Sequence, residues 1–298
     1  MDRLRVGLVG GGPWARTVHG PCLAAHPGTE LAAVWTRRPE AAVELTASYG
    51  GRAYPDLEIL FDAVDAVAFA VPPQVQGRLA LFAAAAGKHL ICEKPLAGTV
   101  EDARAVVAAV QRARVHSTVV LTMRHAPAVQ DWLAELPPEP AGPDTLASAR
   151  WISGSLLGGP YAGSLWRADQ GALFDLGPHV IDLLDAAVGP VVAVPWARLD
   201  EPDLWRFGLL HSGGAHSTVT MSMRVPVDPS EIEFTVLGGP GRRRHRLVGR
   251  GADANTCYAA LLDELVAAVD GSGPPPALDV TRGLRLQELL EAVRAAVG

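Results

Sequence analysis

Lysine is almost missing from this chain. Of 298 residues only Lys88 and Lys94 are lysine, and the other 24 of the 26 basic side chains are Arg. All charged residues together make up 19%, and the net charge is −6. So little positive charge excludes a general binder of nucleic acid or of acidic membranes. Cysteine is scarce as well. Cys22, Cys92 and Cys257 are odd in number, far apart and without metal-ligand spacing. They are expected as buried thiols of a reduced compartment, with neither a disulfide framework nor a metal site. His125, His211 and His216 also lack metal-ligand spacing. No run approaches the ~20 apolar residues of a membrane span. The apolar segment Val6–Val9 is too short for a signal-peptide core, so a cytoplasmic location is expected. What is plentiful is apolar side chain, at 49%. That excludes a disordered or collagen-like chain and suffices for one large or two ordinary cores.

Short apolar runs alternate with helical patterns through the first ~120 residues. Strands are expected at Leu4–Val9, Leu31–Thr36, Asp65–Val71, His89–Cys92 and Ser117–Thr122. Helices are expected at Pro13–Ala25, Pro39–Ser48, Val75–Ala86 and Thr99–Arg112, the last with Thr99 as its N-cap. Continuous apolar strands alternating with helices predict an α/β unit with a doubly wound parallel sheet. After Arg124 the pattern changes. Pro137–Pro143 reads as a loop, Thr145–Ser153 as an alternating strand, and the Gly-rich stretch to Gly163 as a loop before a helix near Pro178–Val188. Five strands follow between Val191 and Val248, with a hairpin at Ser212-Gly213-Gly214. Two late helices are expected at Thr256–Val269 and Val280–Val297. The second part is thus expected to be α+β with a mainly antiparallel open sheet. The division is 1–122 and 123–298.

Gly10-Gly11-Gly12-Pro13-Trp14-Ala15 follows the first strand and opens a helix, fitting G-x-G-x-x-A. Gly10 would make the tight turn, Gly12 would let backbone approach a pyrophosphate, and Ala15 would allow close helix–sheet packing. Pro13 suits a first helical position, and Trp14 lies beside it at the phosphate-facing N-terminus. The tip of the second strand reads Trp35-Thr36-Arg37-Arg38. No acid stands there to take an adenosine ribose 2′-OH, whereas Arg37 and Arg38 could grip a 2′-phosphate. The expected cofactor is therefore NADP, with NAD the alternative.

Three blocks then carry a resemblance: the glycine turn, Ala86–Ala97 (AGKHLICEKPLA) and Gly171–Leu184 (GALFDLGPHVIDLL). In order and spacing they resemble the Gfo/Idh/MocA oxidoreductases, with lesser echoes at Pro72-Pro73, Arg124 and Trp166-Arg167. The resemblance implies a Rossmann domain followed by an open-sheet domain that commonly pairs in homodimers or homotetramers. It also implies a nicotinamide-dependent oxidoreductase with a small-molecule substrate. Lys94 matches a lysine that touches both nicotinamide ribose and substrate, and Asp175 and His179 match the family's catalytic pair. Cofactor contacts are expected at Pro72 and Glu93 as well, and substrate contacts at Arg124, Trp166 and Arg167.

The residue chemistry agrees with those roles. Moving hydride to or from an alcohol carbon needs a partner that takes or gives the hydroxyl proton, and His179 can do that near neutral pH. Asp175 lies one helical turn before it, and Lys94 supplies a point charge at the reacting oxygen. Asp182, a turn beyond His179, reads equally as a partner group or a solvated residue. The expected reaction is an NADP-preferring hydride transfer at a secondary alcohol or ketone of a sugar, nucleotide-linked keto-sugar or polyol. Its rivals are a redox-neutral glycosidase-type enzyme that retains NAD, and a non-catalytic dinucleotide-binding protein. Two features depart from the family pattern: Gln76 stands where a His is common after Pro-Pro, and a single Gly171 precedes Asp175 where two or three glycines are common. The basic run Arg242–Arg246 is expected to be a solvated strand edge.

Overall fold

A computed structural model describes residues 3–136, 141–238 and 243–298 of the chain. Two compact units emerge, Met1–Thr122 with Ala254–Gln287, and Met123–Asp253 with Glu288–Gly298. The contiguous division 1–122 and 123–298 is thereby amended, since residues 254–287 return to the first unit. Apolar burial accounts for the return. Tyr258, Leu261, Leu262 and Leu265 of α9 (Ala254–Val269) lie in one buried cluster with Val6, Leu8, Val18 and Leu23.

The first unit is built on β1 (Leu4–Val9), β2 (Thr29–Trp35), β3 (Arg52–Ala53), β4 (Ala66–Phe69), β5 (His89–Cys92) and β6 (Ser117–Val119). Their order is β3-β2-β1-β4-β5-β6, and every pair is parallel. That order places the switch in winding direction beside β1, where doubly wound sheets take their ligands. The strands are apolar throughout because helices cover both faces: all of β4, and Leu90–Cys92, are inaccessible to water. The helices are α1 (Gly20–Ala25), α2 (Pro39–Tyr49), α3 (Leu57–Asp62), α4 (Pro73–Ala85) and α5 (Val100–Ala113). Thr99 caps α5 as expected, its hydroxyl accepting the Asp102 N–H at 3.1 Å. The strand expected over Ser117–Thr122 ends at Val119. The short α3 escaped the sequence pattern, although Asp56 caps it by accepting the Glu58 N–H at 2.7 Å.

In the second unit, α6 (Pro127–Ala134) precedes β7 (Leu146–Ile152), α7 (Leu165–Asp175) and α8 (Gly177–Val188). Then come β8 (Val191–Asp200), β9 (Leu204–His211), β10 (His216–Ser222), β11 (Glu231–Gly238) and β12 (Arg243–Val248). The sheet order is β12-β11-β7-β10-β9-β8, parallel at β7–β10 and antiparallel at the other described pairs. One face is apolar and covered by α7 and α8: Trp151, Phe207, Val219, Met221 and Phe234 are buried there. The opposite face leaves Leu146, Val192, Trp196 and Leu237 exposed. The β9–β10 hairpin turns through Gly214, whose φ of 89° is free to glycine alone. Edge strand β12 carries the basic run, where Arg246 binds Glu233 at 2.8 and 3.0 Å. Arg242 of that run, and 137–140 of the expected Pro137–Pro143 loop, lie outside the described residues. α10 (Val280–Ala295) follows. Among the described residues, no helix is long and apolar enough to cross a membrane.

Candidate active site

The glycine turn is fixed by steric necessity. Gly10 has φ 127°, and a Cβ there would sit 2.3 Å from the Ala70 carbonyl oxygen of the neighbouring strand end. Its N–H donates to the Trp35 carbonyl at 2.9 Å, tying the ends of β1 and β2 together. Gly12 differs, because nothing lies within 4 Å of its missing Cβ. The turn therefore offers open backbone on the side where a phosphate would approach, next to unpaired first-turn amides.

The helix after the turn is not uniform. Ala15–His19 form a π-helical turn before α1. Pro21 explains it, since it has no N–H to continue the ladder. The Arg16 carbonyl instead accepts the Tyr49 hydroxyl at 2.7 Å. Gly20 leaves room for that tyrosine, because a Cβ there would come within 2.7 Å of its ring.

A cavity of about 310 Å³ opens at this turn, lined by Gly10–Gly12, Trp35–Arg38, Ala70, Pro72 and Val75. Thr36 is buried, and its hydroxyl donates to the Arg38 carbonyl, which stiffens the tip of β2. Arg37 and Arg38 are exposed at the rim, and no described carboxylate pairs with either. Sequence and structure thus bring Gly10, Gly12, Thr36, Arg37, Arg38 and Pro72 to one cavity. Its open backbone and free cations suit a phosphate-bearing nucleotide.

Lys94 follows β5 in a turn held from two sides by buried amides. Gln76 Nε2 donates to the carbonyls of Glu93 (2.6 Å) and Leu96 (2.9 Å), while its Oε1 accepts the Glu93 N–H (2.8 Å). Gln287 Oε1 accepts the Ala97 N–H at 3.1 Å, and its Nε2 donates to the Ala97 carbonyl at 2.9 Å. Both glutamines are inaccessible to water. Gln76, which departs from the family pattern, thus fastens the backbone that presents Lys94. Glu93 accepts the Trp14 indole N–H at 2.7 Å and meets His19 Nε2 at 2.8 Å.

In the second unit, helical backbone runs from α7 through Leu176 into α8, so Asp175, His179 and Asp182 share one face. All three are buried. Arg167 Nε donates to Asp175 at 3.0 Å, and its guanidinium lies 4.6 and 4.5 Å from the rings of Tyr161 and Trp166. Arg124 contributes one nitrogen to both oxygens of Asp182, at 3.3 and 3.1 Å. This decides the open reading of Asp182: it is a buried partner of Arg124, not a solvated helix residue. The Trp151 ring packs 5.9 Å from the His179 ring.

A residue outside the recognised motifs sets this helix in place. Gly171 breaks α7 with φ 62° and ψ −160°, and a Cβ there would fall 2.3 Å from Asp203 Oδ1. That oxygen accepts the Ala172 N–H at 2.8 Å, and Oδ2 accepts the Met223 N–H at 2.9 Å. Burial pushes the Asp203 carboxyl above the usual carboxylate range, although those two N–H bonds oppose the shift. The single glycine kept before Asp175 is therefore the one the backbone requires.

Comparison with known proteins decides the family. The description "Oxidoreductase family, NAD-binding Rossmann fold" matches residues 4–121. Human glucose-fructose oxidoreductase domain-containing protein 2 is 30% identical over 273 residues, covering 83% of this chain and 68% of that protein. The chain belongs to the Gfo/Idh/MocA oxidoreductase family. Another relative of this family member is levoglucosan dehydrogenase of Pseudarthrobacter phenanthrenivorans, 33% identical over 80% of this chain and 65% of that enzyme. The chain thus spans about two thirds of the length of these relatives. Among solved structures, the WlbA dehydrogenase of Bordetella pertussis in complex with NADH and UDP-GlcNAcA superposes with a TM-score of 0.85 at 26% identity, over 99% of this chain and 96% of that one. GenD2 from gentamicin A biosynthesis, in complex with NAD, gives 0.86 at 21% identity, over 99% and 94%, which speaks to the fold.

For this Gfo/Idh/MocA member, the sequence reading missed Gln287, Asp203, Tyr258 and His19 as supports of the site. Only Asp203 carried a local signal, as an acid just before a strand start and behind Glu201-Pro202. The others act across long stretches of chain, 190 residues for Gln287 with Ala97.

Proposed function

We propose that the chain is an NADP(H)-preferring oxidoreductase that moves hydride between nicotinamide and a secondary alcohol or ketone of a sugar, nucleotide-linked keto-sugar or polyol. Family membership supports the reaction class, and relatives named for levoglucosan or found with UDP-GlcNAcA support the substrate class. One observation carries the cofactor preference: Arg37 and Arg38 stand unpaired at the rim of the glycine-turn cavity, where an NAD reader would place an acid. A 2′-phosphate there would gain two guanidinium partners, and a bare 2′-hydroxyl would find no carboxylate.

The nicotinamide supplies or accepts the hydride when bound. In reduction, His179 gives the proton that the carbonyl oxygen acquires, and in oxidation it takes that proton back. Lys94 stabilises negative charge developing on the same oxygen. Asp175, steadied by Arg167, accepts a hydrogen bond from a neighbouring substrate hydroxyl. Arg124 holds Asp182 and so steadies the helix that carries His179. The exposed apolar side chains Leu146, Val192, Trp196 and Leu237 support self-association through the second sheet, and sedimentation of the Trp196→Glu variant tests that part.

Titration of the protein with NADPH and NADH tests the preference. NADPH should bind at least about tenfold tighter, and the Arg37→Ala, Arg38→Ala double variant should lose that margin. Tighter binding of NADH overturns the reading.

A further inference from the structure

Behind the Glu93–Lys94 turn lies a line of buried polar groups that the proposed chemistry does not use. Oε1 of Glu93 meets both the Trp14 indole N–H and His19 Nε2. On its other side His19 Nδ1 meets the Tyr258 hydroxyl at 2.8 Å, with the two rings edge to face at 4.8 Å. His19 and Tyr258 are wholly inaccessible to water, while the Glu93 side chain keeps 14% exposure. Burial holds the Tyr258 phenol well above its ordinary pKa, so the hydroxyl keeps its proton. If the phenol donates to Nδ1, the imidazole proton sits on Nε2 and points at Glu93. Each group in the line then has a partner, and Oε1 receives two N–H donors.

The line also joins two turns of the same sheet. Trp14 stands at the end of the glycine turn, and Glu93 follows β5. In the order β3-β2-β1-β4-β5-β6, β5 lies across β1 from β2, whose tip carries Arg37 and Arg38. A dinucleotide laid across the switch at β1 with its adenosine at β2 has its nicotinamide half toward β5. Oε1 is saturated from behind, which leaves Oε2 as the Glu93 oxygen available to a ligand.

We infer that His19 is a positioning residue for the cofactor: braced by Tyr258, it fixes the Glu93 carboxylate so that Oε2 accepts a ribose hydroxyl of the nicotinamide nucleoside. The inference rests on the proposed reading that the first unit takes a dinucleotide. It explains why the chain returns from the second unit to lay α9 against the first. That helix delivers Tyr258 across 239 residues to the back of His19.

The test compares two ligands on the full chain. One is NADPH or NADH, whichever binds the wild type tighter. The other is its adenosine half alone, adenosine 2′,5′-bisphosphate or ADP. Tyr258→Phe keeps the ring and removes one hydroxyl, and Glu93→Gln keeps the size and removes the charge. Each should weaken dinucleotide binding about tenfold and change binding of the adenosine half less than twofold. Combining them should cost no more than Glu93→Gln alone, because both act through one carboxylate. His19→Asn should show the same selectivity if it folds, and the two conservative variants decide the matter if it does not. Equal weakening of both ligands, or of neither, overturns the inference. A wild type that binds no dinucleotide overturns the proposed function along with it, so the two failures are distinguishable.

Discussion

Gly10 in the first unit and Gly171 in the second face the same problem. Each has positive φ, and each would thrust a Cβ to 2.3 Å from an oxygen. At Gly10 that oxygen is the Ala70 backbone carbonyl, fixed by the parallel sheet. At Gly171 it is the Asp203 carboxylate, which arrives from the turn between β8 and β9. The nucleotide turn is thus shaped by backbone against backbone, and the helix bearing Asp175 and His179 by backbone against one remote side chain. The first arrangement is set by the fold itself, and the second can be dismantled and rebuilt by mutation.

The largest contrast should come from alanine at the two glycines. Gly10→Ala should cost about 3 kcal/mol or more by urea unfolding and abolish dinucleotide binding, because a backbone carbonyl cannot yield. Gly171→Ala should cost about 2 kcal/mol, and adding Asp203→Ala should relieve its steric part. An equal cost at both sites with no relief would break the comparison.

Asp203→Ala by itself comes next. It strips two buried N–H groups of their acceptor, at about 1–3 kcal/mol. Turnover should fall while cofactor affinity stays within about twofold, because only the helix carrying Asp175 and His179 is loosened. Steady-state kinetics beside cofactor titration checks this.

The smallest effect is on pH dependence, and it should be shared by the two units. His89 in the first and His211 in the second are both held below the ordinary histidine pKa, chiefly by burial. His89 Nδ1 accepts the His116 N–H, and His211 meets the Gly189 carbonyl and the Ser217 hydroxyl. The unfolded chain therefore takes up protons before the folded one does. The stability these residues contribute is complete above about pH 6.5 and is lost as pH falls through and below it. Thermal unfolding from pH 7.5 to 5 should show the midpoint falling, less steeply in His89→Gln and His211→Gln. An unchanged slope in both variants would contradict this.

How much was legible follows from the same contrast. The Gly10–Ala15 turn, five of the six strands of the first sheet and the Thr99 cap are local patterns, so the sequence displays them, whereas β3 is two residues long and leaves no period to read. Asp175 and His179 could be read because the segment Gly171–Leu184 resembles a family motif, and their four-residue spacing agrees with one helical turn. Helix α7 escaped notice because Gly171 and the Gly-rich stretch before it mask its period, and Asp203, which permits the kink, lies 32 positions downstream. Gln76 is one of the two departures from the family pattern, and the sequence shows no role for it. Its two amide atoms in fact hold the Glu93–Leu96 backbone. The return of residues 254–287 to the first unit rests on packing of Tyr258 and its leucine neighbours, which no local pattern announces.

The central claim is hydride transfer with His179 as proton partner and Lys94 at the reacting oxygen. Its most direct measurement follows reduced-nicotinamide absorbance on mixing NADPH with a panel of keto-sugars, for wild type, His179→Asn and Lys94→Ala. The wild type should consume NADPH with at least one sugar. The His179 and Lys94 variants should lose about 10²–10⁴-fold in rate, with NADPH still bound. Full activity in either variant would contradict it.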